Sequence, residues 1–423
     1  MKMRIGFAKE DITPPLGTPL GGYAGYRPCE GVRDRLFCKA VVLEQEGKRY
    51  ALAALDLLCV DEPLYRRIAQ AVAHLGITKE RLIAAAIHSH STPLGVIPGE
   101  GQLAAINCAD LGDEERFAAY MAWVVNRAAA ACQAAVDSLE PFTLRCGQAD
   151  APPVGSERHT GEAPQGCLTA MEFRTESGKD LILYSLPCHP TVMRPENLQV
   201  SADFVADIEA MTGSDMAVFL NGAAGDISTR FTRRESTFAE CHRMGQMVAE
   251  AVKNCLEPLS FAQPSPLEGS FREITLKMRP VEPEGDAVAR LEALTAQWQA
   301  AKAAGADGAT LRVLQSQVEG ALVNAQFSRA IPGMEQLSLP ITAFRFAGLS
   351  FYTIPGELFS TLAAHSQGVA ICYANGYDRY IADTAAYDAG YYEALAAVLA
   401  RGEGEKLMKT IQTMLQTERS APL

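Results

Sequence analysis

The sequence predicts an α/β fold: a mixed, mostly buried β-sheet core flanked by helices, with an inserted helical hairpin. Three observations predict it. Short apolar runs such as Leu82 to Ile87, Leu181 to Leu186 and Met216 to Leu220 break into polar or glycine-rich turns, as buried strands do. Longer stretches between them carry apolar residues at helical spacing, so strands and helices alternate. A hydrophobic content of 48% over 423 residues supplies apolar surface for a large core.

The elements follow in order. Arg4 to Phe7 reads as a strand, Thr13 to Gly25 as a Pro/Gly-rich loop, and Leu36 to Leu43 and Tyr50 to Leu57 as two further strands. Pro63 to Leu75 has helical spacing, with its proline in the first turn where no hydrogen bond is lost. Leu82 to Ile87 opens into His88-Ser89-His90-Ser91-Thr92-Pro93, and the alanine-rich Glu114 to Leu139 is a helix. Leu181 to Leu186 is a strand, Phe204 to Met211 a helix, Met216 to Leu220 a strand and Phe238 to Asn254 a helix. Residues 286–330, rich in Ala, Leu, Gln and Glu with a Gly305/Gly308 break, form the helical insertion. Leu337 to Phe346 and Leu349 to Ile354 are a strand pair leading to Pro355-Gly356-Glu357, and Tyr391 to Arg401 is a late helix. Neither a linker nor a sequence repeat divides the chain, so residues 1–423 are expected to form one domain.

Charge narrows the partners. The 38 basic and 50 acidic residues give a net charge of −12 without block segregation, which makes nucleic acid and anionic membrane surfaces poor partners. The N-terminus lacks the apolar segment of a secretion signal, and no apolar run approaches the roughly 20 residues that span a bilayer. Eleven cysteines, scattered without a C-x-x-C pair, suit a reducing compartment. The expectation is a soluble, cytoplasmic protein acting on a small molecule, with its oligomeric state open.

Chemistry concentrates where apolar strands stop. Of seven histidines, His88, His90 and His189 sit at strand ends, where α/β sheets bind ligands. In an extended segment His88 and His90 would share a face, roughly 6 to 7 Å apart along the strand. Both could then bind one metal, or one could bind while the other moves protons; a satisfied core pair is the plainer alternative. His189 ends a second strand, with Pro190 forcing the break. Asn221 to Ser228 is a glycine-rich turn lacking the features of a phosphate loop, where Asp226 and Ser228 contact substrate or cap the turn. Glu357, after Pro355-Gly356, is expected at the start of a helix, where a carboxylate offsets the dipole, and tyrosines crowd Tyr373 to Tyr392.

Taken together, Gly6-Phe7-Ala8-Lys9-Glu10-Asp11-Ile12-Thr13-Pro14-Pro15, Ala86-Ile87-His88-Ser89-His90-Ser91, Cys188-His189-Pro190-Thr191, Asn221 through Ser228, Pro355-Gly356-Glu357 and Asn375-Gly376-Tyr377-Asp378-Arg379-Tyr380 carry a resemblance. In that order they resemble the catalytic domain of the neutral/alkaline non-lysosomal ceramidase family. The resemblance implies zinc as cofactor, ligated by His88, His189, Glu357 and Tyr380, with His90 and Tyr392 lining the reaction centre. Arg158 matches a family arginine at the substrate carbonyl, although Ser156-Glu157-Arg158-His159 departs from the family's pattern. It also implies a zinc-dependent amidohydrolase cleaving a linear N-acyl amide. Without the family's additional C-terminal β-sandwich domain, only the bond chemistry carries over, not ceramide itself. Two alternatives use the same scaffold: a zinc-dependent esterase or lactonase, and a non-catalytic metabolite-binding protein.

Overall fold

A computed structural model describes residues 3–108, 111–164 and 166–417. Eight strands form the main sheet: β1 (Met3–Asp11), β2 (Phe37–Gln45), β3 (Lys48–Leu55), β4 (Leu82–Ala86), β5 (Glu140–Asp150), β6 (Cys167–Thr175), β7 (Asp180–Leu186) and β8 (Met216–Asn221). Their order is β8-β7-β6-β5-β1-β2-β3-β4. The β3/β4 and β7/β8 pairs at its two ends are parallel, and every other pair is antiparallel.

Two halves are visible in this order, each an antiparallel meander of three strands followed by a fourth added in parallel. They join only through Arg4 opposite Pro141 and Ile5 opposite Glu140. The repeat is one of topology, with no sequence repeat to announce it. One face of each half meets the other in a shared apolar layer, in which Val41, Tyr50 and Ala54 pack with Leu144, Phe173 and Val218. The outward-facing residues meet helices instead. The helices α1 (Glu62–Val72) and α2 (Glu114–Asp137) cover the first half, and α3 (Phe238–Leu256) covers the second. In α2 the Asp113 carboxylate accepts from the amide of Arg116 to cap the start, and Phe117, Tyr120, Met121, Val124 and Ala128 form the buried stripe. The expected mixed sheet flanked by helices is therefore present.

A second sheet, β9 (Glu268–Lys277), β10 (Gln336–Phe346), β11 (Leu349–Thr353) and β12 (Val369–Ile371), closes the apolar layer. Between β9 and β10 run the helices α4 (Glu284–Ala303) and α5 (Gly308–Ala330), packed on each other. Gly320 of α5 lies so close to Leu395 that an added Cβ would come within 2.5 Å of its side chain, which seats the hairpin on the short helix Tyr392–Leu395.

Several expectations shift. Phe204 to Met211 is not one helix but a 3₁₀ turn at Asp203–Val205 and a short helix at Ile208–Thr212. The late helix from Tyr391 to Arg401 stops at Leu395, because the following residues pair with the β9 edge: the amide of Arg279 donates to Val398, and that of Ala400 to Lys277. The pairing captured what periodicity read as helix. Strands β5, β6 and β9 and the final helix α6 (Glu403–Thr417) went unread; β5 in particular contains Pro141, Arg145 and Gly147 and is only partly buried. Among the described residues, no helix is long and apolar enough to cross a membrane.

The two halves are tied where their last strands end. Asn221, at the end of β8, donates from Nδ2 to the Ile87 carbonyl at 3.1 Å and accepts from the Cys188 amide at 3.4 Å. Its own carbonyl accepts from the Cys372 amide at 2.9 Å. One buried side chain thus links the ends of β4, β7 and β8. Asn221→Ala leaves two buried backbone groups without partners and is expected to lower stability by about 1–3 kcal/mol, read as a shifted denaturant midpoint at unchanged slope. A loss within experimental error would show that the tie carries no weight.

Candidate metal centre

His88 lies two residues beyond β4 and His189 three beyond β7, and the turns that hold them are reciprocal. The His88 amide donates to Leu57 and its Nδ1 to the Leu58 carbonyl at 2.6 Å, in the loop after β3. The His189 Nδ1 donates to the Ile227 carbonyl at 3.0 Å, in the loop after β8. Each imidazole is therefore oriented by a backbone carbonyl on the neighbouring parallel strand's loop, leaving Nε2 to face inward. His88 has φ 66°, a left-handed conformation costly for a residue with a Cβ, so this is a turn and not the extended segment expected.

Glu357 meets these two nitrogens. Its Oε2 lies 3.0 Å from Nε2 of His189 and 3.5 Å from Nε2 of His88, and all three side chains are buried. Its Oε1 accepts from the Tyr377 hydroxyl at 2.7 Å. Gly225 permits the approach, since a Cβ there would stand 2.4 Å from the Glu357 carbonyl oxygen. Tyr373 stacks on His88 with ring centres 3.9 Å apart.

His90 completes the pocket. Its ring centre is 5.2 Å from that of His88 and 5.6 Å from that of His189, and a nitrogen from each of the three rings lies within 4.8 Å of the others. Both His90 ring nitrogens are buried without a hydrogen-bond partner. Gly22, at φ 89°, lies against this ring, and a Cβ there would come within 2.4 Å of it.

Electrostatics sharpen the picture. Burial, then the charge of Arg158, pushes His189 down to about 4, and burial holds His90 well below the ordinary imidazole range. Burial alone would raise Glu357, but His88 and the bond to His189 outweigh it and keep the carboxylate ionised. With Nδ1–H committed to a carbonyl, a neutral His189 presents a lone pair, not a proton, to a carboxylate oxygen 3.0 Å away. A lone pair facing an anion is repulsive unless positive charge stands between them. Imidazole nitrogens oriented by carbonyls, an ionised carboxylate and an orphaned third imidazole fit a divalent metal of the zinc type.

The other expected residues lie close by. Tyr380 pairs with Glu357 in a short parallel bridge, and its hydroxyl accepts from Nη1 of Arg158 at 3.2 Å. The Tyr392 ring is 6.2 Å from that of Tyr380. Arg158 also meets Glu393 at 3.2 Å, while the opposite oxygen of Glu393 contacts Nε2 of His159 at 3.1 Å. Burial would raise Glu393, yet His159 and Arg158 hold it down to about 2. Asp226 spends both of its oxygens on Ser360, at 2.7 Å each, which is the turn-anchoring side of the two roles expected for it. Ser228 is bridged to His189 and buried. Sequence reading missed Tyr373, Tyr377 and Glu393; the crowding of tyrosines was the one signal for the first two, and nothing in the pattern marked Glu393.

Fold and pocket together define a mixed α/β protein with a histidine-rich metal-type centre at its strand ends. Residues 3–160 match the model of a family described as neutral/alkaline non-lysosomal ceramidase, N-terminal. The whole chain is similar in structure to the neutral ceramidase from Pseudomonas aeruginosa, with a TM-score of 0.75 at 18% identity, covering 100% of this chain and 75% of that one. It is similar to a ceramidase complexed with C2, with a TM-score of 0.74 at 16% identity, covering 100% of this chain and 76% of that one. No curated protein matches the sequence. The resemblance read from the ordered motifs thus holds, through the family over residues 3–160 and through the fold over the entire chain.

Tyr377→Phe removes the donor to Glu357 while keeping the ring. Competition with a chelator is expected to show zinc affinity reduced by about 10- to 100-fold. Unchanged affinity would mean that Tyr377 does not orient the carboxylate.

Proposed function

We propose that the protein is a zinc-dependent amidohydrolase cleaving a linear N-acyl amide, with His88, His189, Glu357 and Tyr380 as the metal's ligands. The observation that carries this reading is the convergence of Glu357 on two imidazole nitrogens whose other nitrogens are bonded to carbonyls. Zinc held there would supply a Lewis acid and lower the pKa of a bound water toward about 7. The family match and the ceramidase-like fold support an amide as the bond cleaved.

The chain's own groups take the remaining roles. His90 has two uncommitted ring nitrogens beside the ligands and is kept neutral by burial, so a ring nitrogen is free to take up a proton and return it to the leaving amine. Arg158, held by Glu393 and Tyr380, points a fixed positive charge at the pocket and stabilises charge developing on the carbonyl oxygen. Burial and the Glu357 charge hold the Tyr380 phenol protonated in the metal-free site, and the Arg158 bond offsets part of this. Tyr392, whose ring lies 6.2 Å from that of Tyr380, would donate a hydrogen bond to the oxyanion formed on the substrate carbonyl. Stacking of His88 on Tyr373 and the seal formed by Tyr23 over His90, at 4.7 Å between ring centres, keep the pocket poor in water.

We take the substrate to be a small molecule, and the location to be cytoplasmic, supported by eleven cysteines that all stand unbonded. The one-domain reading of 1–423, with 286–330 as its insertion, is supported by a hairpin that packs on the helix bearing Tyr392.

Two measurements test the proposal. Elemental analysis of protein purified without added metal is expected to give one zinc per chain, with hydrolysis of short N-acyl amides exceeding that of matched esters. Ester preference would select the esterase or lactonase alternative; metal-loaded protein without turnover on either would select the binding-protein alternative. His88→Ala and His189→Ala are expected to lose both metal and activity. His90→Ala is expected to keep its metal and lose about 100- to 10,000-fold in kcat. An emptied site in His90→Ala, with metal kept in His88→Ala, would reverse the two roles.

A further inference from the structure

Two guanidinium groups stand beside the turn that holds His189, in a chain of net negative charge. We infer that the substrate bears a fixed anionic group, a carboxylate or a phosphate ester, bound at the mouth by Arg233 with Arg194 beside it. The inference rests on the amidohydrolase reading for the bond that is cleaved, and on separate residues for the anion.

Arg233 is built into the same two segments that hold His189. Its Nη1 donates to the Thr191 carbonyl at 2.7 Å and to the Thr229 hydroxyl at 3.1 Å. Thr191 lies two residues beyond His189, and Thr229 follows Ser228, which is bridged to His189. Arg158 stands on this platform too: its amide donates to the Asp226 carbonyl at 2.8 Å, and its carbonyl accepts from Arg230 at 3.4 Å.

Every recorded acceptor of Arg233 is uncharged. Among the described residues neither Arg233 nor Arg194 forms an ion pair, whereas Arg127, Arg145, Arg174 and Arg243 each meet a carboxylate. Arg233 is half-buried, and burial together with the like charge of Arg194 disfavours its charged form. Asp203, the carboxylate that senses it, is buried and committed to the amides of Val192, Met193 and Phe204 at 3.2, 3.0 and 2.8 Å. A half-buried guanidinium without a carboxylate partner is stabilised by an anion from outside, and its remaining donors present a fork suited to one.

Direction places that anion near the chemistry. Tyr23 covers His90, and its hydroxyl donates to the Met193 carbonyl at 2.8 Å, two residues from the Thr191 carbonyl that Arg233 holds, so Arg233 lies on the His90 side of the pocket. Arg27 is committed to the carbonyls of Gly21, His90, Pro195 and Asn197, which leaves Arg233 and Arg194 to meet a ligand.

Calorimetric binding to the zinc-loaded protein tests this with three probes: N-octanoylglycine, its neutral isostere N-octanoylglycinamide, and the phosphate ester of N-octanoylethanolamine. One or both anions are expected to bind about tenfold or more tightly than the neutral probe, with the margin shrinking as salt rises. Whichever anion binds more tightly identifies the group. Arg233→Gln, with its fold checked by thermal unfolding, is expected to bring the three probes within about threefold. Arg194→Gln, an exposed change that leaves the fold untouched, is expected to reduce the margin in part. Equal binding of all three probes by the unaltered protein overturns the inference. So does an anion preference that survives in folded Arg233→Gln, since it would then belong to the metal itself. Anion binding without hydrolysis would refute the amidohydrolase reading and leave the anion site standing.

Discussion

A buried, ionised carboxylate lies 3.0 and 3.5 Å from the inward nitrogens of two imidazoles, and its charge requires a positive counterpart among them. The rest of the pocket follows from that constraint. Two backbone carbonyls fix the imidazoles so that the same nitrogen of each points inward, and a phenol occupies the carboxylate's other oxygen. The arrangement suits the seat of a cation.

The fold supplies the rigidity this demands. His88 and His189 belong to opposite halves of the main sheet, yet meet because the halves pack face to face and Asn221 ties their strand ends. Glu357 arrives from a third part of the chain, the connection between β11 and β12 of the second sheet. Strand ends anchored in a close-packed layer move little, so the donors are preorganised before any ligand arrives. The left-handed backbone at His88 is tolerated because the surrounding bonds leave it no alternative.

Much of this was legible in the sequence. Apolar runs ending in His88 and His189 gave the strand ends, and the order of motifs gave the family resemblance. What escaped reading was set by tertiary contact. Residues 396–400 keep helical periodicity but pair with a strand edge, and β5 is too polar and too broken by Pro141 and Gly147 to announce itself. The spacing of His88 and His90 suggested a shared strand face; a turn brings the rings together instead. Asp226 lay in a promising motif yet spends both oxygens on Ser360, while Glu393, unmarked by any pattern, holds Arg158. A residue's hydrogen-bond commitments are decided by distant segments, and no local pattern carries them.

The chain also separates its overall charge from its local charge. A protein of net charge −12 presents guanidinium groups around one pocket, so its field and its site select for different things. The central claim remains the cation at Glu357. Anomalous diffraction from crystals of protein purified without added metal, recorded on both sides of the zinc absorption edge, tests it most directly. The account predicts a single strong peak bounded by Nε2 of His88, Nε2 of His189 and Oε2 of Glu357, present above the edge and lost below it. No peak at that position, with the three side chains unmoved and a peak elsewhere or nowhere, would contradict it.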